Sequence, residues 1–85
     1  MIVVSQDGKK VFPLEQVMLE VEKGWGRGKH KIVLFHLGGN PLTEDPIVIA
    51  EFRKEEDADN ALMDLLSSYQ RDAKVFVFGV YKEQK

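Results

Sequence analysis

Lys23, Arg27, Lys29 and Lys31 put four positive charges into nine residues, with Trp25 among them. Cations beside an exposed ring are what a single-stranded nucleic acid needs, the charges for its backbone and the ring for a base. The same set suits a protein contact, with Trp25 as a rigid apolar anchor and the cations around it. The rest of the chain weighs against nucleic acid. Twelve Lys and Arg face fourteen Asp and Glu, for a net charge of -2, so no general basic field supports such binding. Ordering a loop that contains Gly24, Gly26 and Gly28 also costs entropy. Nucleic-acid binding through residues 23–31 is therefore the alternative, and a protein contact at Trp25 is preferred.

Other residue types offer less chemistry. The three glycines lack the third spacing and the helix opening of a dinucleotide fingerprint, and Lys29 is followed by His30 where a P-loop needs Ser or Thr. His30 and His36 fall six apart on one expected strand, on the same face but about 20 Å from each other. They cannot share a metal. The chain has no cysteine, which removes disulfides, thiol chemistry and cysteine-based metal sites. Ser5, Ser67 and Ser68 stand in no activating motif, and Glu44, Asp45 and Glu51 show no spacing that pairs them for acid–base work. The expectation is a non-enzyme without cofactor or metal.

The elements that must position these residues follow from periodicity and turn chemistry. Residues 2–12 read as a hairpin around Asp7-Gly8, with Pro13 at an edge or bend. Val17, Leu19 and Val21 alternate with Met18, Glu20 and Glu22, which predicts a strand, although Leu14, Val17, Met18 and Val21 also fit helical spacing. Residues 29–37 hold a continuous apolar core, the mark of a central strand covered on both sides. Gly38, Gly39, Asn40 and Pro41 end it. Residues 47–52 form the next strand, with Ile47 and Ile49 on one side and Val48, Ala50 and Phe52 on the other. Ala58, Ala61, Leu62, Leu65, Leu66 and Tyr69 make one helical stripe, preceded by Glu55, Glu56 and Asp57 at the positive end of the dipole. Lys54 is a poor cap. A last strand covers residues 75–81, and residues 82–85 are a solvated tail.

Eighty-five residues make a single domain, 1–85. The expected class is α+β: a mainly antiparallel curved sheet of four to five strands, packed against one helix in the C-terminal half and followed by a last strand. One helix cannot cover two apolar sheet faces. The sheet must curl, or a second copy must cover the remaining face. Self-association, with a dimer favoured, is the leading expectation. The acidic stretch 55–72 and the basic loop offer complementary charge between copies. No run reaches the length of a membrane span, and Met1 to Asp7 does not read as a signal peptide, so the cytoplasm is the expected location.

The opening Met1 to Lys10, the stretch Ile49-Ala50-Glu51-Phe52 running into the charged helix start and Ala61-Leu62, and the final Val75-Phe76-Val77-Phe78 carry a resemblance. Over about half of its length the chain is similar to small uncharacterised proteins of Firmicutes and their prophages. The resemblance implies a hairpin, further strands, a helix and a terminal strand, in an accessory protein with no catalytic motif. The glycine loop around Trp25 and the connection 38–46 depart from that pattern.

Overall fold

The computed structural model describes residues 1–24, 29–38 and 45–78. Along them run β1 (Ile2–Val4), β2 (Val11–Pro13), a 3-10 turn (Leu14–Gln16), β3 (Val17–Glu22), β4 (His30–His36), β5 (Ile47–Phe52), α1 (Glu55–Gln70) and β6 (Val75–Val77). The class is α+β, but the expected single curved sheet is not what forms. Two separate three-stranded sheets are present, ordered β2-β1-β6 and β3-β4-β5, and neither curls. Pro13 supplies the break. It has no amide for a ladder, and the 3-10 turn that follows carries the chain out of the first sheet and into the second.

Three pairings are antiparallel, as the short connections require. The fourth, β1 with β6, is parallel and joins the two ends of the described chain. The hairpin expected over residues 2–12 is present, and β2 lies at an edge as Pro13 demands. Its connection is a loop rather than a two-residue turn. Gly8 takes the positive φ (76°), and its N–H donates to the Ser5 carbonyl at 2.9 Å.

The choice of strand over helix holds for residues 17–22, with only Leu14–Gln16 coiled. β4 is central, and Ile32, Val33 and Leu34 are all buried in it. β5 departs from simple alternation. Ile32 pairs with Ala50 and Val33 with Val48, so Ile49 is an extra residue, a β-bulge. The bulge brings Ala50 and Phe52 into the same core as Ile47 and Ile49, against the expected split between two faces. Of that strand, Val48 and Glu51 are exposed.

Ala58, Ala61 and Leu65 of α1 are buried, with Leu62 packed beside them. The helix lies on β4 and β5. Leu66 and Tyr69, placed on the core stripe from spacing, are each 47% exposed. With the first sheet also packed on this core, about two turns of small and branched residues, Ala58 to Leu65, face it. The helix begins at Lys54, which makes no side-chain cap, and three acidic residues occupy its first turn. It ends in a Schellman arrangement. Asp72 N–H donates to the Tyr69 carbonyl at 3.1 Å and Ala73 N–H to the Ser68 carbonyl at 3.0 Å. Asp72 sits at φ 60°, a position that usually takes glycine. Among the described residues no helix is long and apolar enough to cross a membrane.

One core joins the parts. Val3, Phe12 and Phe76, the inward row of the first sheet, meet Ile32, Leu34 and Phe52 of the second and Leu65 of the helix. Phe76 and Phe78 stack edge to face, with centroids 5.0 Å apart.

Candidate interaction surface

Of the five residues that the sequence singles out for partner binding, three are described. Lys23 follows β3, and its ammonium lies 2.8 Å from the Glu55 carboxylate. Lys29, just before β4, lies 3.5 Å from Glu51. Lys31 is half-buried within β4. Trp25 and Arg27 lie outside the described residues, as do Gly26 and Gly28 of the glycine loop. The fold brings Lys23 and Lys29 to the same end of the second sheet, but it sets a carboxylate against each. The pairing with Glu55 raises the Lys23 pKa and lowers that of Glu55, the shared hydrogen bond being the main cause in both. The cations are thus partly neutralised within the chain, which weakens any field they present to a phosphate backbone.

His30 and His36 occupy opposite ends of β4, paired with Phe52 and Val17. His30 is tied locally, its Nδ1 accepting the Gly24 N–H at 3.3 Å. Among the described residues no cluster of three metal-ligating side chains occurs.

The outward face of the first sheet has a different character. Its strands alternate, so the residues flanking the buried row Phe12–Val3–Phe76 point away from the core. Register places Val11, Val4 and Val77 side by side in one outward row, and Pro13, Ile2 and Val75 in the other. All six are apolar. Val11 is 64% exposed, Val75 55%, Val77 44% and Ile2 39%. An antiparallel sheet with one solvated face normally puts polar residues there. The outer side of the second sheet is mixed: Glu20, Glu22 and Glu51 are exposed there beside Met18, Phe35, Val33 and Val48. The outward rows of the first sheet hold no polar residue at all. The sequence places the uncovered apolar face on the central strand 29–37 and the last strand of a single sheet. The structure divides these two strands between separate sheets, β4 in the second and β6 in the first, and the short runs 2–4, 11–13 and 75–77 show their shared register only once paired.

Two polar residues that sequence reasoning passed over order the β1-β2 loop and tie it to the other sheet, Ser5 within the loop and Gln6 across to β5. Ser5, 1% exposed, donates through Oγ to the Asp7 carboxylate and accepts the Lys10 N–H at 3.0 Å. Asp7 also accepts the Lys9 N–H at 2.9 Å. These bonds, the Ser5 hydroxyl first, hold the Asp7 pKa below the usual carboxylate range. Gln6 next to them spans to the edge of β5. Its amide oxygen accepts the Glu51 N–H at 3.0 Å, its amide nitrogen donates to the Glu51 carbonyl at 3.2 Å, and its backbone N–H donates to the Ile49 carbonyl at 2.8 Å. Gln6 thus closes an edge strand that would otherwise offer free backbone groups. At the other end, the Met1 amine binds Glu15 at 2.7 Å and lowers the Glu15 pKa.

The chain matches no protein-family model, no curated protein and no solved structure.

Proposed function

We propose that this protein is a small non-catalytic interaction module of the cytoplasm that self-associates, most simply as a dimer, through the outward face of the β2-β1-β6 sheet. One observation carries the proposal: two neighbouring rows of three outward positions each contain no polar or charged side chain, and four of the six are well exposed. Such a face suits a second copy of itself. Apolar rows packed on apolar rows leave no charge unpaired, and a two-fold axis needs only one self-complementary patch.

Magnitudes set the strength. Four branched side chains per copy are about half exposed. At roughly 1.5–3 kcal/mol for complete burial of each, covering them on two copies yields about 6–12 kcal/mol gross. Association costs on the order of 4–15 kcal/mol before anything is gained. The patch is also smaller than the roughly 800 Å² per partner of a standard interface, so neighbouring loops must form the rim. The expected result is a concentration-dependent dimer with Kd on the order of 1–100 μM.

The test is sedimentation equilibrium or native mass spectrometry across that concentration range, on the parent chain and on a Val75→Lys/Val77→Lys variant. Both positions are exposed on β6, so the variant is expected to fold, which circular dichroism checks. A dimer in the parent and a monomer in the variant support the proposal. A parent that stays monomeric throughout, or a variant that dimerises equally well, overturns it.

A further inference from the structure

Beyond the self-association face, we propose a binding site for a small amphipathic anion, an apolar body carrying one carboxylate, in the cleft between β2 and the inner side of the second sheet. The cleft has a volume of ≈ 440 Å³, within the range of small-molecule sites. Its walls come from both sheets. Phe12 on β2 faces Val17, Leu34 and Ile47, which sit together at one end of β3, β4 and β5. No described residue of α1 lines the cleft.

The polar groups give the ligand its sign. Lys10 and His36 line the cleft, and no described lining residue is acidic. That is notable in a chain whose acids outnumber its bases. Lys10 reaches Asp7 only at 3.8 Å, with both side chains about half exposed. An exposed pair at that distance is worth little, so the ammonium is able to turn toward a carboxylate in the cleft. An apolar floor with one cation at the lip selects a molecule with a greasy body and an anionic end. A neutral body gains from the floor alone.

The probes are decanoate and decanol, each titrated below its aggregation range into isotope-labelled protein and followed by NMR. Decanoate is expected to shift the Phe12, Leu34 and Ile47 side-chain signals. Lys10→Met is expected to weaken decanoate by about two- to fivefold, the upper range for one exposed charge pair, and to leave decanol unchanged. Val17→Trp is expected to fill the cleft and abolish both. Lys10→Met changes an exposed side chain, so it remains decisive if Val17→Trp fails to fold. Absence of shifts at the cleft residues overturns the site. Equal decanoate binding by Lys10→Met overturns its preference for anions. Shifts at Val75 and Val77 in place of the cleft report binding on the outer sheet face and also overturn it. Val11 and Pro13 line the cleft and also belong to the outward rows, so the titrations are repeated on the Val75→Lys/Val77→Lys variant, where the same cleft shifts are expected.

Discussion

Asp72 shows how one residue fixes the end of an element. It occupies the left-handed position of the Schellman turn, where its Cβ crowds the following carbonyl, and it places a negative charge at the negative end of α1. Glycine removes both penalties. Asp72→Gly is therefore expected to raise stability by about 1 kcal/mol, read as a higher urea midpoint with an unchanged slope. A lower midpoint would show that the carboxylate holds something the turn needs. The surface carboxylates make a second prediction. Asp7, Glu15 and Glu55 all have folded pKa values below their ordinary ones. Their stabilising contributions are complete above the ordinary carboxylate pKa and are lost as pH falls through the lowered folded values. Stability should thus decline on acidification below about pH 5. Asp7→Asn, which has no charge to lose, should be less stable than the parent at neutral pH and converge with it in acid. Lys23 has the opposite sign: its raised pKa keeps its contribution intact at neutral pH, to be lost only in strong alkali. Parallel acid limbs for the parent and Asp7→Asn would contradict the assignment. Neither Ser5 nor Gln6 was legible in the sequence as a structural residue. The Ser5 partners Asp7 and Lys10 lie in the same loop, whereas the Gln6 partners Ile49 and Glu51 are set by that loop closing on a distant strand, which no local spacing encodes.

At the scale of elements, periodicity found the strands and the helix but misjudged how much of each faces inward. The stripe from Ala58 to Tyr69 is real in spacing, yet its last turn leaves the core, because the first sheet occupies space that a lone helix would have filled. The contrast is measurable. Leu65→Ala should cost roughly 2–5 kcal/mol, since Leu65 is fully buried. Leu66→Ala, one position along, should stay within about 1 kcal/mol. Equal losses would show that Leu66 packs as deeply as its spacing alone suggests. The bulge at Ile49 is the other element-scale surprise. A run of Ile47-Val48-Ile49-Ala50 reads equally well with or without an extra residue. Only pairing with β4, and the Gln6 N–H that takes the Ile49 carbonyl, decides where alternation breaks. The strand versus helix choice at residues 17–22 was legible because Glu20 and Glu22 alternate strictly with branched residues, and a helix would have put them beside the core.

For the whole molecule, the feature the sequence concealed is the parallel pairing of β1 with β6. Strands of three residues at the two ends of the described chain carry too little pattern to announce each other. Chain economy favours nearest-neighbour hairpins, which led to one sheet instead of two. The single-sheet premise for self-association falls with that correction, and the proposed self-association rests instead on the outward rows of β2-β1-β6. The inner rows of both sheets and the helix share one core. Of the two outer faces left over, that of the second sheet carries Glu20, Glu22 and Glu51 among its apolar residues, and that of the first sheet carries no polar residue in its two rows. Its consequence reaches beyond subunit number. If that face is covered only in the dimer, folding and association are linked, and the thermal midpoint of the parent must rise with protein concentration. β1 is the middle strand of this sheet, so the dimer would brace the very pairing that ties the chain ends together. The Val75→Lys/Val77→Lys variant should then melt at one temperature at every concentration, meeting the parent only at high dilution. A parent midpoint that does not move with concentration, at levels where it sediments as a dimer, would place the contact on some face that contributes nothing to the stability of this sheet.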